Sequence, residues 1–313
     1  MAILITGGAG YIGSQLMRDL AADPRFKGET VRVLDNMFRE KFVSYWELPD
    51  GVAYEAVDGD IRKDEDLERA FKDVTLVFDL AGITNAPLSF ERKELTKEVN
   101  VDGARKVIAH CVKHKAFLVY SSSASVYGPT KEVVDETYPC NPASPYGASK
   151  IEAEKAILEA CKNEGLKAVI LRLGTVYGWS IGMRFDTVVD RFAYLACLGQ
   201  PLPVWESALK EARPYAHIRD VTASMLFAAN NEKLAGGIYN VISANCGIQE
   251  VVDAIKKYAP HAKPVITKTP NLNQLSYRLN SDKIGKAGFS PKYSMEDGIR
   301  ELIEKFGKIR PMQ

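Results

Sequence analysis

At 313 residues and 46% hydrophobic content, the chain is long enough for one large core, or one core plus a lobe. Its 41 basic and 40 acidic side chains leave a formal charge of +1, which excludes the strong basic field of a nucleic-acid or anionic-membrane binder. It has no apolar run of about 18 residues to span a bilayer, and Met1 leads straight into an apolar strand, so neither a membrane segment nor a signal peptide is expected.

The run Ala2-Ile3-Leu4-Ile5 is one buried strand, and Leu16, Met17 and Leu20 recur behind it at helical spacing. Between them lies Thr6-Gly7-Gly8-Ala9-Gly10-Tyr11-Ile12-Gly13-Ser14, a glycine-rich strand-to-helix turn. Gly7 allows the tight turn, Gly10 admits a pyrophosphate close to the backbone, and Gly13 lets the helix lie close on the sheet. The helix N-terminus, with Tyr11 and Ile12, aims free N–H groups and a positive dipole end at the phosphates. A second strand, residues 31–34, ends in Asp35-Asn36, with Asp35 22 positions beyond Gly13. An acid at that interval accepts from the adenosine ribose hydroxyls and repels a 2′-phosphate, so NAD is favoured over NADP. Arg32 and Arg39 lie nearby, but Arg32 falls inside the strand and Asn36 follows the acid.

Residues 37–50 read as a surface loop with a short helix and residues 52–57 as a third strand, after which Asp60 and Ile61 fall where the adenine would lie. A helix over 63–72 and a strand over 74–80 follow, with Leu80, Ala81 and Gly82 turning beneath the cofactor. Residues 88–114 hold one long helix, with Asn100 a cofactor-side polar group or part of a solvated face. The pitch of alternating strands and helices predicts an α/β fold with a doubly wound parallel sheet.

A fifth strand over 116–120 runs into Ser121-Ser122-Ser123-Ala124-Ser125-Val126-Tyr127-Gly128, at the strand end where ligands bind in such sheets. Next, Ser144-Pro145 starts a helix that sets Tyr146 and Lys150 one turn apart on one face. A tyrosine of pKa near 10 is a poor base at neutral pH. An ammonium roughly 6 Å away, at an effective dielectric of ~20, favours the phenolate by about 3 kcal/mol, or about two pKa units. Tyr146 then becomes a proton acceptor from a sugar or alcohol hydroxyl, with Ser123 holding the same oxygen in line.

Beyond residue 173 strict alternation loosens. Residues 184–186 open a helix with Val188, Val189, Phe192 and Leu195 inward, and 201–205 form an edge strand, since prolines avoid central ones. Residues 219–242 return to the sheet as helix and strand, and 247–307 form C-terminal helices. His217 is expected to be a core histidine. The organisation expected is a Rossmann domain over 1–173 rejoined by 214–245, and a smaller C-terminal α/β lobe from 174–213 and 246–313. The five cysteines (Cys111, Cys140, Cys161, Cys197, Cys246) are scattered, odd in number and without metal-ligand spacing, so reduced thiols in the cytoplasm and no bound metal are expected.

Together these motifs, with Leu171-Arg172-Leu173-Gly174-Thr175-Val176-Tyr177-Gly178 and Arg213-Pro214-Tyr215-Ala216-His217-Ile218-Arg219-Asp220, make nearly the whole chain resemble the extended short-chain dehydrogenase/reductase family, in its nucleotide-sugar epimerase/dehydratase branch. The resemblance implies bound NAD, catalysis by Ser123, Tyr146 and Lys150, and contacts of Lys150 with the nicotinamide ribose. It implies a nucleotide-diphosphate sugar as substrate, held by Thr84, Thr175, Arg184, Arg213 and Arg278, with Arg213 gripping the diphosphate. Dehydratases of the branch carry an Asp-Glu pair where this chain has Ala124 and Ser125, which argues against dehydration or decarboxylation and leaves epimerisation, at C4 or at C2. The segment 206–212 lacks the glycines usual before that arginine, so the nucleotide base stays open. A net oxidoreductase and a non-catalytic NAD-binding regulator are the alternatives. The helix from Pro145 is apolar on more than one stripe, and the resemblance implies a homodimer through a four-helix bundle.

Overall fold

The computed structural model describes residues 2–268 and 277–308. The first half alternates as β1 (Ala2–Thr6), α1 (Tyr11–Ala22), β2 (Thr30–Asp35), β3 (Ala53–Asp58), α2 (Asp64–Ala70), β4 (Val74–Asp79), α3 (Ala86–Glu91), α4 (Lys93–Lys97), α5 (Ala104–His114) and β5 (Phe117–Ser123). It continues through β6 (Val133–Val134), α6 (Pro145–Asn163), β7 (Ala168–Leu173), β8 (Thr175–Tyr177), α7 (Val188–Cys197), β9 (Leu202–Trp205), β10 (Ala212–His217), α8 (Ile218–Ala229) and β11 (Ile238–Val241). The last elements are β12 (Ala244–Gly247), α9 (Ile248–Tyr258), β13 (Pro264–Thr267), β14 (Arg278–Leu279), α10 (Asp282–Lys286) and α11 (Met295–Phe306).

Seven strands form one parallel sheet in the order β11-β7-β5-β4-β1-β2-β3. Every residue of β1 and β7 is buried, as a parallel sheet covered on both faces demands. Alternation sorts the faces. Ile5, Val33, Phe78, Val119 and Leu171 pack with Leu16, Met17 and Leu20 of α1 and Val221 and Met225 of α8. Leu4, Val77, Leu118 and Ile170 point the other way, onto Val107, Ile108 and Cys111 of α5 and Ala153 and Ile157 of α6. Each such fully buried aliphatic or aromatic side chain contributes about 1.5–3 kcal/mol. A second core joins α7, α9 and α11 through Val189, Phe192, Val251, Ile255, Ile299 and Leu302, beside the small sheet β12-β10-β8.

The fold class agrees with the sequence, and several local readings do not. The expected helix over 88–114 is three α-helical pieces with a π-helical turn, Glu98–Gly103, before α5. Arg92 is extended in φ (−121°) and breaks the first join. The helix expected from 184 starts at Val188, because Thr187 is extended and leaves Arg184, Phe185 and Asp186 in a loop. The serines 121–123 belong to β5 itself, paired with Leu171, Arg172 and Leu173 of β7. Ile284 of α10 and Phe289 pack on the main sheet's core and not with α9 and α11. Among the described residues no helix is long and apolar enough to cross a membrane.

Candidate active site

A cavity of about 860 Å³ opens at the C-terminal ends of β1, β2, β4 and β5. Strand order reverses between β1 and β4, so this is the switch point where open α/β sheets bind ligands. Gly7, Gly10, Tyr11, Ile12 and Gly13 line it. Gly7 has φ +65°, and a Cβ there would lie 2.8 Å from the backbone of Ala81. At Gly13 a Cβ would collide with the Gly8 carbonyl. No side chain caps α1 and no acid occupies its first turn, so its N-terminus keeps its positive end for an anion. The Tyr11 side chain instead ties two parts of the chain together: its hydroxyl donates to the Gly178 carbonyl (2.5 Å) and to Asp190 (3.3 Å).

Asp35 sits at the end of β2, held by the N–H groups of Ala9 (3.0 Å) and Met37 (2.9 Å), and burial pushes its carboxyl up. Burial also acts on Asp60, but the Arg62 guanidinium and Asn36 hold its carboxyl down at about 2. Ile61, Leu80, Ala81 and Gly82 complete this wall. Asn100 is not on it. The π-helical turn points its amide inward, where it accepts from Ile83 N–H (2.8 Å) and donates to Ile83 carbonyl and Ser149 (3.0 Å each). It fixes the loop after β4 from behind. Arg32 is turned away too, paired with Glu55 and the carbonyls of Ala70 and Lys72.

Ser144 caps α6 by accepting from Gly147 N–H (3.1 Å), and Pro145 fits the first helical position. That start sets Tyr146 and Lys150 on the cavity wall, both more than nine-tenths buried. Ser123 shares the cavity lining with Tyr146, and its Oγ accepts from Ser125 N–H (3.2 Å) and hydroxyl (2.9 Å). The expected electrostatics differ. Burial pushes the Tyr146 phenol up, and Ser123 and the charge of Arg184 pull it back. Lys150 donates to Tyr120 Oη (3.2 Å) and the Ser121 carbonyl (2.8 Å), and burial lowers it to about 8. Lys150 is not among the groups that shift the Tyr146 phenol in the protein alone. Tyr120 carries no motif; its place under Lys150 emerges only from the strand pairing.

The opposite wall is built by side chains. Thr84, Thr175, Arg184 and Arg213 all line it. Arg184 bridges from Thr84 (3.0 Å) to Asp186 (3.2 Å). Arg191 and Tyr277, which the motifs did not flag, line it as well. Arg278 does not. Along 277–279 the side chains alternate, burying Tyr277 and Leu279 and turning Arg278 to solvent.

Beneath the site Arg172 and Glu154 form a buried bidentate pair (2.7 and 3.0 Å), joined by Ser122, Tyr127 and Asn240. A doubly wound sheet, a glycine turn with a ribose-spaced acid, and a Ser–Tyr–Lys group on one cavity define a protein of the extended short-chain dehydrogenase/reductase type. The chain belongs to the NAD dependent epimerase/dehydratase family, which it matches over residues 3–241. Its relatives include the Thermus thermophilus UDP-glucose 4-epimerase, solved with NAD, at 32% identity, TM-score 0.83 and coverage of 98% of this chain and 99% of that one. The Thermotoga maritima UDP-glucose 4-epimerase, solved with UDP-glucose, is 25% identical with a TM-score of 0.87 and coverage of 98% and 99%. A UDP-N-acetyl-alpha-D-glucosaminuronate decarboxylase from Bacillus cytotoxicus is 27% identical over 98% of each chain. The chain is thus an NAD-dependent enzyme of a family that epimerises, dehydrates or decarboxylates nucleotide sugars.

Proposed function

We propose that this chain is a nucleotide-sugar 4-epimerase of the UDP-glucose type, with NAD retained through the cycle. The supporting observation is the pairing of Ser123 and Tyr146 with Ala124 and Ser125. Ala124 is buried and Ser125 holds Ser123, so neither position offers the carboxylate an elimination needs. The acids that line the cavity are Asp35, Asp60, Asp186 and Glu211. The first two stand at the ends of β2 and β3, and Asp186 pairs with Arg184 and Arg39.

The glycine cradle, where side chains would collide, fits a pyrophosphate, and Asp35 fits a ribose diol. When bound, NAD supplies the hydride acceptor and donor. Ser123 holds the sugar 4-hydroxyl, and Tyr146, as the phenolate that the positive charge of bound NAD would favour, takes its proton as the C4 hydride leaves. After the 4-keto sugar turns over, Tyr146 returns that proton to the oxygen formed on the opposite configuration. Lys150 holds the nicotinamide ribose. Thr84, Thr175, Arg184 and Arg213 hold the sugar diphosphate in the lobe of residues 174–213 and the C-terminal segment. The same reading includes a homodimer through α5 and α6; a sedimentation mass near the 34.6 kDa of one chain overturns it.

The test is incubation with UDP-, dTDP-, GDP- and CDP-sugars, reading C4 and C2 configuration by NMR with absorbance at 340 nm recorded. Inversion at C4 without net NADH supports the reading. Stoichiometric NADH points to a net oxidoreductase, and inversion at C2 to another epimerase.

A further inference from the structure

Away from the cavity, three side chains with metal-binding donors converge where α2 meets α5. Glu68, His110 and His114 each offer a donor atom within 4.8 Å of the others. The histidines are one turn apart on α5, with ring centroids 6.1 Å apart and planes within 13°. Phe71 packs against both, at 5.0 and 5.5 Å, and holds the pair in place. Each ring carries a buried nitrogen with no hydrogen-bond partner, Nδ1 in His110 and Nε2 in His114. Leaving a buried polar atom unpaired costs about 1–3 kcal/mol, so each ring holds a nitrogen that a ligand would satisfy. Glu68 adds the charge, and its carboxylate already draws a cation: Lys113 Nζ sits 2.5 Å from Oε1.

We propose that Glu68, His110 and His114 form a metal site for a borderline transition-metal ion such as Zn²⁺, Co²⁺ or Ni²⁺. Two imidazoles and one carboxylate suit these ions and not the all-oxygen shells of Mg²⁺ or Ca²⁺. Tetrahedral bonds of about 2.0–2.2 Å bring donors to roughly 3.4 Å from one another. Rotation of the exposed Glu68, release of Lys113 and a turn of the two imidazole rings about their Cβ–Cγ bonds supply that contraction. The absence of metal spacing among the cysteines says nothing about this pair. The C-terminal end of α5 leads into the start of β5, so the site lies at the sheet edge opposite the cavity. It clamps α2 to α5 and takes no part in the chemistry. It stands independently of the proposed function.

The experiment uses the full chain, stripped with chelator and titrated with Zn²⁺ by calorimetry, with the Co²⁺ spectrum recorded in parallel. One saturable equivalent is expected, together with a rise in Tm. His114→Ala, at the less buried position, weakens binding by at least about tenfold, and Glu68→Gln weakens it as well. Lys113→Ala, which removes the competing ammonium, binds at least as tightly as the native chain. His114→Ala keeps its catalytic turnover and its circular dichroism spectrum. Absence of saturable binding, unchanged affinity in His114→Ala, weaker binding in Lys113→Ala, or a Co²⁺–thiolate charge-transfer band overturns the proposal.

Discussion

The two walls of the cavity are built by different means. The wall at the ends of β1, β2 and β4 is backbone: a left-handed glycine against Ala81, the open N-terminus of α1, and Asp35 clasped by two N–H groups. The facing wall is side chain: Arg184 reaching Thr84, Arg213 on β10, and Tyr277 arriving from beyond residue 270. A backbone site depends on local conformation, which glycine spacing and strand length encode within some thirty residues. A side-chain site depends on where distant segments land. The first kind recognises what all dinucleotides share, and the second is free to vary with the sugar.

Tyr146 lines the cavity between these two walls, and its removal has the largest expected effect. Tyr146→Phe keeps the aromatic volume and loses the proton acceptor, so turnover falls by about 10²–10⁴-fold while NAD titrates as before. Near-normal turnover in that variant would refute the mechanism. Retained NAD binding separates the loss of chemistry from damage to the backbone wall.

The same division governs what the sequence reveals. Gly7–Gly13, Asp35 and the Tyr146–Lys150 spacing are legible because each lies within one turn or one strand–helix unit. Asn100 is not, since the π-helical turn that points it at Ile83 leaves the periodic pattern unmarked. Arg278 misled because two-residue alternation along 277–279 sends Tyr277 to the cavity and the arginine outward. The Tyr146 electrostatics were illegible for a different reason. Burial acts on Lys150 as well as on the phenol, and spacing carries no information about desolvation.

Beneath the Ser122 end of β5 lies the Glu154–Arg172 pair, with side chains only 4% and 5% exposed. Glu154→Ala leaves the guanidinium buried without its counter-charge and costs about 3–5 kcal/mol, read as a shift in the urea midpoint. A shift below about 1 kcal/mol would mean that water reaches the network. A smaller effect is expected at Asp35. If Asp35 holds the ribose as proposed, Asp35→Asn removes a charge-assisted bond worth about 1.5–3 kcal/mol. NAD affinity then falls by about 10–100-fold and discrimination against NADP shrinks, while KM for the nucleotide sugar holds. A matching change in that KM would show that the two walls are not independent.

They touch at several points, among them Ser14–Ser180, Arg184–Thr84 and Tyr11–Asp190, and at the last of these the expected effect is smallest. Asp190 is wholly buried on α7, and it accepts from Gly178 N–H (2.9 Å), Thr187 (3.1 Å) and Tyr11 (3.3 Å). Burial raises its carboxyl from 3.8 to about 7 against the pull of these donors. Between about pH 4 and 7 the folded chain therefore holds a proton that the unfolded chain has released. Stability from this group is full below about pH 4 and is lost as pH rises through about 7, with a slope of at most about 1.4 kcal/mol per pH unit. Asp190→Asn preserves an acceptor for Gly178 and has no proton to lose. Its Tm, followed from about pH 4 to 8, should fall less than that of the native chain, and the two curves should diverge most at the upper end. Parallel curves would assign the pH dependence to other buried acids, such as Asp19 or Asp79, and would leave the Tyr11–Asp190 contact an ordinary hydrogen bond between the walls.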